Sequence, residues 1–203
     1  MKRTLITGII LASGFSRRME DEKLLLDVGG IPMVERVIRA AQSPLIGECI
    51  LIYRCDAIKE IGERYNLKTV YNPHAAEGQS AAIKLGIACA HPATDGFMFF
   101  VGDQPCLTQF TVNELIGTFA GKNNSVVVPL YNGSRGNPVI FPSRLRETLL
   151  GLKGDCGGRT VIERMEDNVV LVPVDEGNEG NDIDTKADYE KIHNFSYDKN
   201  HFA

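Results

Sequence analysis

"GIILASGFSRRMEDEKLLL", residues 8–26, decides how the rest of the chain is read. With Lys2 and Arg3 ahead of it, the apolar run Leu5–Phe15, with small residues at Ala12 and Gly14, has the layout of a cleavable export signal. The same residues also read as a buried strand running into a polar loop that carries Arg17, Arg18 and Lys23. Two features favour the strand. Arg17 and Arg18 fall just beyond the point where a signal would be cut. Removing the run through Gly14 would also delete the first strand of an otherwise regular series.

That series extends outward from the stretch. Apolar, β-branched runs at Leu5–Leu11, Cys49–Tyr53, Thr69–Tyr71, Phe97–Val101, Ser125–Leu130, Pro138–Phe141 and Val169–Val174 read as strands. In "IPMVERVIRAA", Met33, Val34, Val37, Ile38 and Ala41 recur at helical spacing behind Pro32, a residue suited to a helix start. "EGQSAAIKLGIACA" and "TQFTVNELIGTFAG" read as helices, the second opened by Thr108 and closed near Gly121. "TKADYEKIHNF" reads as a terminal helix capped by Thr185 or Asp184. Strands alternating with helices of ten to fifteen residues imply an α/β protein with a mostly parallel central sheet. The rhythm loosens into an irregular excursion at about 131–168, and residues 1–203 are expected to form a single domain.

Composition narrows the function classes. The chain has 203 residues, 43% hydrophobic and 24% charged, which suits a folded domain with a sizeable core. A net charge of −4 argues against a nucleic-acid binder, which would carry a broad basic excess. No apolar run approaches the ~20 residues that span a bilayer. The five cysteines are scattered without a C-x-x-C pair, so neither a disulfide framework nor a zinc site is expected, and a cytoplasmic location fits.

In an open α/β sheet, ligands gather outside the carboxyl ends of strands. The places to inspect are therefore just after Leu11, Val101 and Val174. After Leu11, small residues would let backbone N–H groups approach a phosphate, and Arg17, Arg18 and Lys23 would neutralise it. The bland alternative is a surface loop with solvated cations. After Val101, "GDQP" presents Asp103, suited to Mg²⁺, which takes oxygen ligands and keeps several waters. A turn aspartate before Pro105 is the bland alternative. "GNDIDTKADY" offers Asp182, Asp184 and Asp188 as helix caps or as a second metal ligand. Gly78, Gln79 and Ser80 stand at a helix start, where free N–H groups can read a base or simply be capped. "SRGNPVIF" and "GDCGGRT" combine glycine with arginine, as an anion nest or as ordinary loops. Nothing pairs a histidine with a nucleophile, which leaves Ser-His-Asp or Cys-His chemistry without support.

The order of these motifs carries more than any one of them. "LASGFSRRM…KLLLDVGGIPMVERV", "EGQSAAIKLGI", "GDQP", "RGNPVIF", "GDCGGR" and "DIDTKADY", spread from about Ile9 to Ile192, together resemble the nucleotidyltransferases that finish molybdenum cofactors. The resemblance implies a three-layer, Rossmann-like nucleotidyltransferase fold and transfer of a nucleotide to molybdopterin with release of pyrophosphate. It implies that Leu11, Ala12, Ser13 and Gly14 line the nucleotide, and that Arg18 and Lys23 meet its phosphates. Gly78, Gln79 and Ser80 would help select the base. Asp103 and Asp184 would hold Mg²⁺, and Asn137 and Arg159 would face the pterin in the excursion. Two departures from the family pattern stand out. Glu20 occupies a position usually held by glycine. Ser13 replaces the glycine usual in guanylyl-transferring members or the alanine usual in cytidylyl-transferring ones. Its β-carbon should crowd a purine more than a pyrimidine, which favours CTP over GTP. The implied partners are CTP, a molybdopterin-type substrate, and a molybdenum enzyme or its chaperone as recipient. Three rivals stand beside this reading: a guanylyltransferase of the same cofactor, a nucleotidyltransferase for another phosphorylated small molecule, and a non-catalytic cofactor carrier.

Overall fold

The run that opens the sequence argument forms the middle of a sheet. In the computed structural model, which describes residues 4–15, 22–122, 125–165, 168–175 and 178–198, strand β1 (Ile6–Ala12) lies between two parallel neighbours. These are β2 (Ile46–Tyr53) and β4 (Gly96–Val101), with Leu11 opposite both Ile52 and Val101. Strand alternation sends successive side chains to opposite faces. Ile6, Ile10 and Ala12 enter one core, and Ile9 enters the other. A strand buried on both faces needs an unbroken apolar run, which is why this one looks like an export signal.

Helices cover both faces, making three layers. On one side, α1 (Met33–Ala41), α2 (Asp56–Arg64), α4 (Gln109–Gly121) and α7 (Lys186–Asp198) pack against the core that holds Ile6 and Ile10. On the other, α3 (Gln79–Cys89), α5 (Arg146–Leu150) and α6 (Arg159–Glu163) cover Ile9, Ile50 and Ile52. Helix α3 comes close to the sheet at Gly86, where a β-carbon would lie 2.4 Å from Ile9 Cγ2. The expected caps are present. Thr108 Oγ1 accepts from Thr111 N at 3.2 Å and opens α4. At α7, Thr185 Oγ1 accepts from Asp188 N, and Asp188 Oδ2 accepts from Thr185 N, a reciprocal capping box. Among the described residues, no helix is long and apolar enough to cross a membrane.

The remaining strands are β3 (Lys68–Tyr71), β5 (Val126–Tyr131), β6 (Ser134–Arg135), β7 (Val139–Pro142) and β8 (Val169–Val174). The order across the sheet is β3-β2-β1-β4-β7-β5-β6, with β8 also paired to β5. The sheet is mostly parallel; the exceptions are the short β6, antiparallel to β5, and β7, antiparallel to both β4 and β5. Its reversal begins at Asn132-Gly133, whose φ angles of 48° and 81° make the tight hairpin turn that joins β5 to β6. The excursion is therefore more ordered than its loose rhythm suggests: it contains β6, β7, α5 and α6. Helix α2 also escaped the periodicity reading, because only one side of it, at Ile58, Ile61 and Gly62, is buried.

Candidate active site

Because β5 is antiparallel to β7, and β7 to β4, strands β1, β4, β5 and β8 all end at the same edge of the sheet. The segments that follow β1, β4 and β8 meet there. Gly102 N donates to Leu11 O at 3.2 Å, which ties the turn after β4 to the end of β1. The segment after β8 returns along the turn: Ile183 N donates to Asp103 O at 3.1 Å, and Gln104 Nε2 donates to Gly180 O and to Asp182 Oδ1. Lys23 opens a short 3₁₀ turn whose next residue, Leu24, is buried against Gly102. That apolar contact delivers the lysine to the edge.

The result is a charged knot. Lys23 Nζ donates to Asp103 Oδ2 at 2.8 Å, to Asp184 Oδ1 at 3.0 Å and to Ile183 O at 3.1 Å. The side chains of Lys23 and Asp103 are only 16% and 21% exposed, while Asp184 is 50% exposed, so the knot opens towards solvent on the Asp184 side. Burial by itself lowers the lysine's proton affinity. The charge of Asp103 and the hydrogen bonds to both carboxylates more than offset it, and the ammonium is held above its ordinary value. Next to the knot, burial and then the charge of Asp103 push the Asp182 carboxyl up to about 6.

Two cavities meet at this edge. The first, of about 760 Å³, is lined by Leu11, Ser13, Gly14, Lys23, Gly78, Gln79, Asp103, Asn137 and Asp184, among others. The second, of about 850 Å³, has an apolar floor of Phe99, Val128, Val139 and Phe141, and walls from β6 and the segment 155–160. They share Leu11, Gln79, Val101, Asn137 and Asp155, so they are two halves of one cleft.

Most of the residues singled out in the sequence come together here, although not all do so through their side chains. Ala12 is 1% exposed and packs into the core beneath the loop. Ser80 is also buried, and its N–H donates to Gly154 O at 3.2 Å. Arg159 lies in the second cavity, 90% exposed, with Nε donating to Glu163 Oε1 at 3.1 Å. Asn137 stands at the junction, its carbonyl accepting from Tyr131 Oη at 2.8 Å. Arg17, Arg18 and Glu20 lie outside the described residues. On either side of them, Phe15 and Glu22 both meet Arg54: its guanidinium lies 4.6 Å from the Phe15 ring centroid, and Nη2 lies 2.5 Å from Glu22 Oε2.

Three contributors were not singled out from the sequence. Asn72, buried at the end of β3, donates from Nδ2 to Ser13 Oγ at 2.8 Å and accepts His74 N on Oδ1 at 3.0 Å. Asp155 accepts Gln79 N on Oδ1 at 3.3 Å. Gln104, through its bonds to Gly180 and Asp182, holds the last segment in place. Asp155 stands inside a quoted motif; Asn72 has no such signal, because its importance lies in a contact 59 positions away.

The donor set suits a hard divalent cation. Asp103 and Asp184 already converge on one positive charge, and no group of three His, Cys, Asp or Glu side chains forms a ready-made cage among the described residues. Mg²⁺ is commonly held in this way, by one or two carboxylates with substrate phosphates and waters completing its shell.

A profile of the MobA-like NTP transferase domain matches residues 8–169. The chain is 28% identical to the purine catabolism protein PucB of Bacillus subtilis, over 95% of this chain and 98% of that protein. It is 28% identical to the nicotine blue oxidoreductase of Paenarthrobacter nicotinovorans, over 89% of this chain and 92% of that protein. With a probable molybdenum cofactor guanylyltransferase of Pyrococcus furiosus it shares 25% identity, over 84% of this chain and 85% of that protein. Among solved structures, a homolog of Mycobacterium tuberculosis Rv0371c from Mycobacterium sp. strain JC1 superposes with a TM-score of 0.81 at 27% identity, covering 95% of this chain and 97% of that one.

Proposed function

The chain belongs to the MobA-like NTP transferase domain family and is a nucleotidyltransferase, and on that footing we propose that it transfers CMP from CTP to a molybdopterin-type acceptor with release of pyrophosphate. The observation that carries this reading is the continuous cleft: a cavity bordered by the Lys23–Asp103–Asp184 knot opens through Gln79 and Asn137 into a larger one with an apolar floor. Such a cleft seats a triphosphate and a flat phosphorylated acceptor side by side.

The chemistry asks little of side chains as acids or bases. A terminal phosphate is largely ionised at neutral pH. Its oxygen forms a new bond to the α-phosphorus of CTP, the bond from that phosphorus to the β-phosphate oxygen breaks, and pyrophosphate leaves with the electron pair. What the protein supplies is position and compensating charge. Gly14 and the backbone at Leu11 and Ala12 border the nucleotide. Lys23, whose ammonium is held between Asp103 and Asp184 at the cavity wall, is assigned to offsetting the charge of the phosphates, and Arg18 to the same task. Asp103 and Asp184 would hold Mg²⁺, which when bound would supply positive charge to offset that of the reacting phosphates. Gly78, Gln79 and Ser80 bound the base, and Asn137 and Arg159 face the acceptor.

Ser13 supports CTP. It borders the first cavity with a β-carbon that the backbone fixes in place, and its hydroxyl is turned to the buried Asn72 at 2.8 Å. Guanylyl transfer to the same acceptor is the second reading, favoured by the likeness to the Pyrococcus furiosus relative. Calorimetric titration with CTP and with GTP, each with and without Mg²⁺, separates them. Mg²⁺-dependent CTP binding at least tenfold tighter than GTP (~1.4 kcal/mol) supports the cytidylyl reading, and the reverse order overturns it. Mg²⁺-dependent pyrophosphate release with molybdopterin present distinguishes the enzyme from a carrier.

A further inference from the structure

Where the two cavities join, Gly157 faces Gln79. A β-carbon on Gly157 would lie 2.2 Å from Gln79 Oε1 and 3.1 Å from its Cδ, so the carboxamide end of the glutamine rests directly over the glycine. The same loop grips the start of α3 through other atoms. Ser80 N donates to Gly154 O at 3.2 Å, and Gln79 N donates to Asp155 Oδ1 at 3.3 Å. At Gly78, whose φ is +94°, a β-carbon would lie 2.7 Å from Asp155 N. Segments 78–80 and 154–157 are thus interlocked, although one borders the nucleotide half of the cleft and the other the acceptor half. Gln79 lines both halves and is exposed, and no hydrogen bond holds its carboxamide among the described residues.

We propose that Gly157 is a positioning residue for nucleotide choice: by lacking a side chain it sets where the Gln79 carboxamide meets the base. This rests on the reading of Gln79 as a base contact. A carboxamide both donates and accepts, and its bonds hold only over heavy-atom separations of about 2.7–3.2 Å. A displacement of an ångström at its tip therefore changes which base edge it satisfies. The nucleotide preference is then a property of the acceptor loop as well as of the loop after β1. Any acceptor contact that shifts the loop shifts nucleotide affinity, and the linkage runs equally in the other direction.

The test is a double-mutant cycle read by calorimetric binding of CTP and GTP in Mg²⁺, with thermal melting as the check on folding. Gly157→Ala meets the far end of a flexible side chain, so the fold should stand while Gln79 is displaced. The expected result is CTP binding weakened about tenfold, a narrowed preference over GTP, and no further effect of Gly157→Ala once Gln79→Ala is present. The double variant carries no clash at this contact, which keeps the cycle interpretable if the single variant folds poorly. If Gly157→Ala leaves CTP and GTP binding unchanged while Gln79→Ala weakens them, the proposal fails and the base-contact reading survives. An undiminished effect of Gly157→Ala in the Gln79→Ala background likewise overturns the proposal alone. If Gln79→Ala changes neither affinity nor preference, the base-contact reading fails, and the proposal with it.

Discussion

On the nucleotide half of the cleft, the polar groups sit just past strand ends or on segments bonded to them, and they are tied to one another: Lys23 to Asp103, Asp184 and Ile183, and Ser13 to Asn72. On the acceptor half, the walls are a two-residue strand, the glycine-rich segment 154–158 and a five-residue helix, and the one guanidinium assigned a role there is 90% exposed. The first half is built on pairings that cannot move without disturbing the sheet edge. In the second, the exposed Arg159 stands free of the floor, whose apolar side chains belong to the core, while Gly157 and Gly158 are closely met by Gln79 and Phe141.

The contrast orders the expected effects of substitution. The largest is at Asp103. Asp103→Ala should lower the rate of pyrophosphate release by at least ~10²–10³-fold, the range for losing one well-placed electrostatic contact, with circular dichroism unchanged. Chelation of the divalent cation should reproduce that loss, and added Mg²⁺ should restore activity in the unaltered protein only. Near-normal release from Asp103→Ala would remove the distinction between the halves. Lys23→Met comes next, at about 10²-fold. It takes a cation from the phosphates and leaves Asp103 and Asp184 without their shared counter-charge. Single-turnover kinetics at saturating nucleotide would show whether the loss lies in the chemical step.

A smaller and different effect is expected at Ser13. Ser13→Gly should shift the ratio of CTP to GTP affinity by about tenfold towards GTP (~1.4 kcal/mol), measured by calorimetry, because the β-carbon at the cavity wall is gone. An unchanged ratio would place base selection elsewhere. The smallest is at Arg159, where Arg159→Ala should raise the acceptor KM by roughly three- to tenfold, an exposed charge being strongly screened, and leave nucleotide binding as it was. A large effect on CTP affinity would mean that Arg159 acts across the Gly157–Gln79 contact as well as on the acceptor.

Much of this arrangement is legible in the sequence where the signal is local. The run before Ser13, the helix behind Pro32, Thr108 as a cap and the terminal helix behind Thr185 all appear where periodicity and capping chemistry place them. Asn132-Gly133 was equally legible as a hairpin turn, but it stood inside a stretch whose rhythm had loosened. Helix α2 was missed because its apolar stripe is too narrow to stand out from loop sequence. At the site, aspartates after strand ends and glycine with arginine in the excursion are residues that the fold brings to one cleft. Asp155 stood inside a quoted motif without being singled out, and nothing marked Asn72, since a buried amide looks ordinary until its partner is known.

By itself the sequence determined most of the longer strands and helices, the burial of β1 and the strand ends at which to look for a ligand, because those follow from side-chain pattern within one element and from its ends. The tertiary structure alone decided that one ammonium serves two carboxylates, the farther of them 161 positions along the chain, that β7 enters the sheet reversed, and that Gly157 gives way to Gln79. These are contacts between distant segments, and their geometry depends on strand order and on which surfaces close over one another. A periodic pattern records which face of an element is buried; it does not record what that face is buried against.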